Sequence, residues 1–208
     1  MRFLASFLLL SAAASVLPAQ SVAVTHTSQE LGFSFTVPSD WQVMDTSAVA
    51  KEQARQSAQS EDDKKGLACV QVGFTARHGN PSSVMTEAAL PFDCYGQKMS
   101  QADLPEFAAS ASAGLEQNFD LDEPVYGSYA LGSHPFWIER VHGSVKGQPT
   151  MPFTVEIACG MTKKAAVCWM MMAADEASLK TFERAPVSLD GEDATPLVPA
   201  TAFDKKPS

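Results

Sequence analysis

Apolar and polar residues alternate along two early stretches of the chain. Over residues 31–37 every second residue is large and apolar, and the run stops at Pro38. The same alternation returns over residues 70–76. Strict alternation is typical of a β-strand with one buried face. The pattern therefore predicts a strand in each stretch, and we expect the first strand to pair with residues 22–27 just upstream.

Four further strands are predicted in the second half of the chain. Residues 125–131 and 136–145 flank a Gly-Ser turn, so they are expected to form a hairpin. Residues 151–159 and 165–174 follow this hairpin. The last run is apolar at odd and even positions alike, which is typical of a central strand covered on both faces. The order predicts four antiparallel strands in sequence.

Helical spacing occurs in other parts of the chain. Between residues 100 and 119 the apolar residues recur at intervals of three and four, so one face of this helix is apolar and must lie on a sheet. Asn80 and Pro81 have the chemistry of an N-cap and a first helical position, which predicts a short helix toward Leu90. Asp175 is expected to cap a last helix.

The order of these elements predicts the fold class. No repeat and no linker divides residues 20–190, which are expected to form a single domain. An antiparallel meander with separate helices predicts an α+β fold in which helices cover both faces of an antiparallel sheet, an α/β/α sandwich. Residues 45–66 are polar and predict a short surface helix followed by a mobile loop. Residues 191–208 show no periodicity and predict a disordered tail.

Composition and charge exclude two classes of partner. Of the 208 residues, 45% are hydrophobic and 19% are charged, which is typical of a globular protein. Lysine and arginine number 15 against 24 acidic residues, so the net charge is -9. This sign opposes binding to a phosphate backbone. Neither nucleic acid nor an anionic membrane surface is therefore an expected partner.

The N-terminus has the pattern of a secretory signal peptide over residues 1–19. Arg2 supplies a positive charge, residues 3–16 are apolar, and Ala19 is a small residue suited to cleavage. An uncleaved membrane anchor is the alternative, but the apolar run is shorter than the about 18 to 20 residues that a span needs. We therefore expect export to the periplasm or the extracellular space, without stable membrane insertion.

Export places the four cysteines in an oxidising compartment, where an even number favours two disulfides. If the turn between the last two predicted strands is centred on its Lys-Lys pair, Cys159 lies directly opposite Cys168. A four-residue loop would instead leave these two cysteines diagonal on the same face. We predict a Cys159–Cys168 disulfide across this hairpin, and by elimination a Cys69–Cys94 disulfide.

Catalytic and metal-binding patterns are weak throughout the sequence. No cysteine or histidine spacing is that of a metal site, and solvated histidines are expected instead. The three consecutive methionines, residues 170–172, lie on alternating faces of one strand and cannot converge on a copper ion. No Gly-x-Ser-x-Gly elbow is present. We expect no enzyme activity, no cofactor and no metal. The four histidines are His26, His78, His134 and His142.

Several carboxylates could be read as catalytic. Asp120, Asp122 and Glu123 lie together at a junction between a predicted helix and a strand, where capping and solubility are their expected roles. Glu156 lies inside an otherwise apolar strand. It either reaches the solvated edge of the strand or pairs with a base such as Arg140, and a functional carboxylate is the third choice.

Four segments carry a resemblance to a known family. They are LGFSFTVPSDW at residues 31–41, YALGSHPFW at residues 129–137, WMMM at residues 169–172, and VSL at residues 187–189 after the final helix. Together they resemble the PsbP-like family, which includes the extrinsic P subunit of photosystem II and the Mog-type proteins. The resemblance implies an α/β/α sandwich and a non-enzymatic, partner-binding role. It carries over no partner-binding residue, and the four cysteines are not a hallmark of the family.

These observations lead to two functional hypotheses. The first is an exported, non-enzymatic domain that binds another envelope or extracellular protein through the rim of its sheet or through residues 45–66. The alternative is a carrier that binds a small apolar ligand between the sheet and the helix at residues 100–119. A deep, dry pocket beside Met170 or Phe107 would favour the carrier, whereas an exposed apolar patch would favour the binding domain.

Overall fold

A computed structural model describes residues 23–44, 68–96, 99–112, 115 and 118–204. The predicted signal peptide and the predicted surface helix and loop at residues 45–66 lie outside this part of the chain. The strands are β1 Val24–Ser28, β2 Phe33–Val37, β3 Gln42–Met44, β4 Gln71–His78, β5 Ser83–Pro91, β6 Phe119–Leu121, β7 Val125–Leu131, β8 His134–Val145, β9 Gln148–Met161, β10 Ala165–Ala173, β11 Pro186–Leu189 and β12 Thr195–Pro196. The α-helices are α1 Phe92–Tyr95, α2 Leu104–Ser112 and α3 Glu176–Glu183.

The described strands form two antiparallel sheets. The large sheet has the order β3-β4-β5-β10-β9-β8-β6, and β7 also pairs with β8. The small sheet has the order β1-β2-β11-β12. The predicted pairing of the two N-terminal strands is confirmed, and so is the run of four antiparallel strands from β7 to β10. The double-sided apolar pattern of β10 correctly identified a central strand.

A core of aromatic rings lies between the two sheets. Phe35 of β2 stacks on Trp169 of β10 with their ring centroids 6.0 Å apart, and Phe33 meets the same indole edge-on at 5.8 Å. Such pairs add to the stabilisation that the burial of their apolar surface provides. The opposite face of the large sheet is covered by α2, whose buried Leu104 and Ala108 pack over β8, β9 and β10. The predicted contact of this helix with a sheet is confirmed.

The predicted fold class, an α+β sandwich with helices on both faces of the sheet, is wrong. The described part of the chain is mostly β, and the main layer on one face of the large sheet is a second sheet. Helix α3 adds Leu179 and Phe182 to the core on that side. The small sheet joins β2 to β11, which lie about 150 residues apart in sequence. Alternation within a strand reveals its buried face but not which distant strand it pairs with, so the second sheet was missed.

The predicted short helix from Asn80 toward Leu90 is also wrong, because this segment forms strand β5. It pairs with β4 on one side and β10 on the other, so neighbouring strands satisfy its backbone groups. Ser83 and Glu87 occupy buried positions on the face toward the small sheet. These two polar residues break the apolar alternation that would otherwise have indicated a strand.

The predicted disordered tail is wrong for residues 191–204. Leu197 and Ala202 are completely buried and Val198 is nearly so. The backbone of Leu197 donates a hydrogen bond to the Ala185 carbonyl, and its own carbonyl accepts one from the Tyr129 hydroxyl at 2.8 Å. Apart from the two-residue strand β12, the segment is held by individual contacts, so a search for periodicity could not detect it.

Candidate functional site

Both cysteine pairs lie at disulfide distance in the predicted pairing. Cys159 and Cys168 are direct partners in the β9–β10 register, with Cα atoms 4.1 Å apart. This register is the one centred on the Lys-Lys turn, and the alternative with diagonal cysteines is excluded. Cys69 and Cys94 have Cα atoms 5.6 Å apart and join the start of β4 to α1. The two bonds fix the large sheet but provide no reactive group of their own.

Glu87 is a carboxyl group buried in the core between the two sheets. Its Oε2 atom lies 3.4 Å from Nε2 of His26 on β1. Burial raises the pKa of Glu87 to about 8 and lowers the pKa of His26. A bulge in β4 brings Gly73 so close that a Cβ there would clash with this carboxyl group. With a pKa of about 8, Glu87 is mostly protonated at neutral pH, a feature that no pattern in the sequence predicted.

A second buried carboxylate, Glu156, pairs with Arg140. This pairing was one of the alternatives proposed from the sequence. The guanidinium of Arg140 donates to Glu156 at 2.6 Å and to Glu183 of α3 at 2.6 Å, and its Cζ lies 4.3 Å from the centroid of the Phe203 ring. Burial raises the pKa of Glu156 to about 7 although Arg140 opposes that shift. Each of these groups has a protein partner, so the cluster ties β8, β9, α3 and the C-terminal segment together.

His134 departs from the predicted solvated state because it is buried. Its Nδ1 lies 2.9 Å from the Met161 carbonyl and its Nε2 lies 3.3 Å from Oε1 of Glu192. Ser133 donates to the same Glu192 oxygen at 2.8 Å, so serine and histidine share a carboxylate and do not contact each other as a catalytic pair. The interactions hold the β7–β8 turn against the segment that follows β11.

The other histidines occupy separate places. His78 lies 3.2 Å from Asp40, and His142 contacts Thr154 at 2.9 Å. Within the described residues, no three His, Cys, Asp or Glu side chains are grouped so that they could hold a metal ion. The three methionines alternate between the two faces of β10, as their positions in the strand require.

The rim of the large sheet presents a strand with one free edge. Strand β7 pairs with β8 along all seven of its residues and with no second strand among the residues that the structure describes. Its sequence, VYGSYAL, carries no charge. Val125 is 55% exposed and Tyr126 is 41% exposed, and the Tyr126 ring lies against Trp137 of β8 with centroids 5.6 Å apart. Unpaired backbone groups and apolar side chains therefore lie together on this rim.

Two open cavities lie at the two ends of β7. The first, of about 480 Å³, is lined by Asp120 and Asp122, which lie shortly before β7 in the chain, and by Asp175 and Glu176 at the start of α3. The second, of about 520 Å³, adjoins the C-terminal end and is lined by Leu131 and Gly132 together with Glu192 and Asp193. Neither cavity touches Met170 or Phe107, where an apolar ligand was expected. The carrier hypothesis stays a prediction.

The acids at the N-terminal end of β7 include those expected to have capping and solubility roles. Asp122 and Glu123 are exposed, and only Pro124 separates them from β7. The hydrogen bond from Ser133 lowers the pKa of Glu192, which keeps this carboxylate ionised at neutral pH. The pKa of Tyr126 is raised by desolvation, then by the charge of Glu139 and then by that of Glu123. The negative charge of Glu123 therefore acts on the side chains of β7. The sheet rim could be predicted from the sequence only in general terms, because local patterns do not show which strand lies at the edge.

Comparisons with known proteins give a structural similarity and no family. No family model and no curated protein matches the chain. The solution structure of cyanobacterial PsbP (CyanoP) from Synechocystis sp. PCC 6803 is similar to it, with 10% sequence identity and a TM-score of 0.45. The similarity covers 83% of this chain and 92% of that one. Among the described residues no helix has the length and apolar character that crossing a membrane requires. Membership of the PsbP-like family stays a prediction.

Proposed function

We propose that this protein is an exported, non-enzymatic domain that binds another envelope or extracellular protein through the free edge of β7. The observation that carries the proposal is an uncharged edge strand that exposes Val125 and Tyr126. Soluble proteins usually protect such an edge with charges, proline or a covering loop, because it can pair with another chain. The seven residues of β7 contain no charge and no proline, and such an edge beside exposed apolar side chains is suited to docking a partner.

Two further features support the proposal. Both cysteine pairs are at disulfide distance, and stable disulfides form in oxidising compartments outside the cytoplasm. The buried acids Glu87 and Glu156 are enclosed in the protein core, where a substrate would have no access to them. A binding role accounts for these features without requiring chemistry.

Site-specific photo-crosslinking in an envelope extract tests the proposed function. A photoreactive amino acid is introduced at Val125 of β7, or at Val24 of β1 as a matched control, since the two side chains are 55% and 53% exposed. We expect a discrete protein adduct from position 125 and not from position 24. Identical adducts from both positions, or none from position 125, would contradict the proposal. A turnover activity abolished by changing one polar residue would contradict the non-enzymatic part.

A further inference from the structure

Both ends of β7 carry negative charge although the strand itself carries none. Asp122 and Glu123 precede it, and Glu192 lies against the turn that follows it, where Ser133 and His134 contact its carboxylate. Each of the two open cavities at these ends is lined by further carboxylates. No lysine or arginine lines either cavity. The free edge is therefore an uncharged segment between two acidic pockets.

We propose that the partner segment is an extended strand that adds to the free edge of β7 and carries a basic residue at each end of an uncharged stretch. This inference rests on the proposed function and specifies the partner. Main-chain hydrogen bonds to an edge strand supply affinity that does not depend on sequence, and side chains on alternate positions supply specificity. Basic side chains in the two acidic cavities would set the register of the added strand.

The spacing of the two basic residues follows from strand geometry. The seven residues of β7 span about 23 Å at about 3.3 Å per residue. Leu131 and Asp120 line the two cavities, and both lie on the face of the large sheet that carries Arg140. Residues at even separations point to the same face of a strand. A separation of eight residues places both basic side chains on that face, one at each end.

The opposite face of the added strand meets a surface that is apolar except for Ser128 and the buried Glu139. Tyr126 and Ala130 of β7 are exposed there, and Trp137 of β8 lies beside Tyr126. The partner residues between the two basic positions would place their alternate side chains beside these groups. Apolar residues at those alternate positions therefore fit the surface. Polar residues fit the other positions of the partner strand, on the face that carries its two basic residues.

A second copy of this chain does not meet these requirements. Antiparallel pairing of β7 with itself around Ser128 would bring Asp122 and Glu123 of one copy opposite residues 133–134 of the other. Glu192 lies against those residues, so carboxylates would approach carboxylates at both ends. Like charges in this position oppose pairing, and the net charge of -9 adds to the repulsion.

Synthetic peptides test the inference with the full mature chain, its disulfides intact. The probe is Thr-Lys-Val-Thr-Val-Thr-Val-Thr-Val-Lys-Thr with blocked ends, in which the lysines are eight residues apart. One control replaces both lysines with glutamate, and a second carries backbone N-methyl groups on alternate residues. Fluorescence anisotropy measures binding, and amide hydrogen exchange measures protection of residues 125–131.

We expect the lysine peptide to bind about tenfold more tightly than the glutamate peptide, since two exposed ion pairs are replaced by repulsion. N-methylation of the alternate residues whose N–H groups face β7 should abolish binding. Binding of the unmodified peptide should protect the amides of β7 but not those of β1. Combining Asp122→Asn with Glu192→Gln should remove the difference between the two peptides. The matched variant Glu30→Gln, at an exposed acid that lines neither cavity, should preserve it.

Three outcomes would overturn the inference, and each can be distinguished from failure of the proposed function. Equal binding of the lysine and glutamate peptides, with β7 protected by both, would overturn only the requirement for a basic residue at each end of the partner segment. Absence of β7 protection by any peptide, together with an adduct at position 125, would overturn strand addition and leave the binding function standing. A concentration-dependent dimer that protects residues 125–131 would show that the occupant is a second copy.

Discussion

Glu87 is a single buried residue that makes the free energy of unfolding depend on pH. In the folded chain its pKa is about 8, against 4.5 for an ordinary glutamate, because burial disfavours the charged form. Between these two values the folded chain holds a proton that the unfolded chain releases. The free energy of unfolding therefore falls as pH rises through this window, by at most about 1.4 kcal/mol per pH unit from this group.

We expect Glu87→Gln to flatten this pH dependence. The amide is neutral at every pH, so the variant should gain stability relative to the unmodified chain as pH increases from 4.5 to 8. Urea denaturation at half-unit pH steps measures the effect, and Glu106→Gln on the exposed face of α2 is the matched control. Parallel pH profiles for the Glu87→Gln variant and the unmodified chain would show that this carboxyl group is ionised in the folded state.

At the same scale, the sequence predicted some side-chain partners and missed others. The pairing of Glu156 with Arg140 was among the alternatives, because both lie on strands predicted to be neighbours. The contact of Glu87 with His26 was not, because it joins strands from different sheets. The burial of His134 was missed because its partner Glu192 belongs to a segment expected to be disordered.

At the scale of elements, the two disulfides differ in how well the surrounding structure shields them from a reductant in solution. Cys159 and Cys168 are 0% and 4% exposed beneath α2, whereas Cys94 is exposed on α1. We therefore expect a mild reductant to open Cys69–Cys94 first. Closing a loop of 25 residues stabilises by about 3 to 4 kcal/mol in the chain-entropy model, and this is the stability that its reduction should remove.

Alkylation followed by peptide mass spectrometry over a reduction time course measures the order of opening. The variant Cys69→Ser with Cys94→Ser serves as the control, since it should have the stability of the partly reduced chain. Labelling of Cys159 or Cys168 before Cys94 would contradict the expected order, because it would mean that α2 does not protect the β9–β10 disulfide.

Elements were predicted well where neighbours in sequence are also neighbours in the sheet. The β9–β10 register followed from one turn and from apolar residues on a shared face. For β5 the same reasoning failed, because an Asn-Pro start and two buried polar residues outweighed its alternation. Strand β7 lies at an edge because no second strand among the described residues pairs with it, and a local sequence pattern cannot show such an absence.

At the scale of the whole molecule, the missed second sheet and the missed C-terminal order have one cause. Strands β2 and β11 pair with each other across the surface that the intervening large sheet provides. The segment after β11 then covers Tyr129 and Arg140 on that surface. Both features depend on contacts between residues far apart in sequence, and a pattern within one short window does not contain them.

The C-terminal segment gives a direct test of this view. Removing residues 191–208 exposes the surface that Leu197, Val198 and Ala202 cover, and it deletes Phe203 from the face of Arg140. Burying one leucine or valine contributes about 1.5 to 3 kcal/mol, so the truncation should lower the free energy of unfolding by at least about 3 kcal/mol. A chain ending at Asp204 retains all of these contacts and is the control. Equal urea midpoints for the two truncated chains would show that this segment contributes nothing to the core.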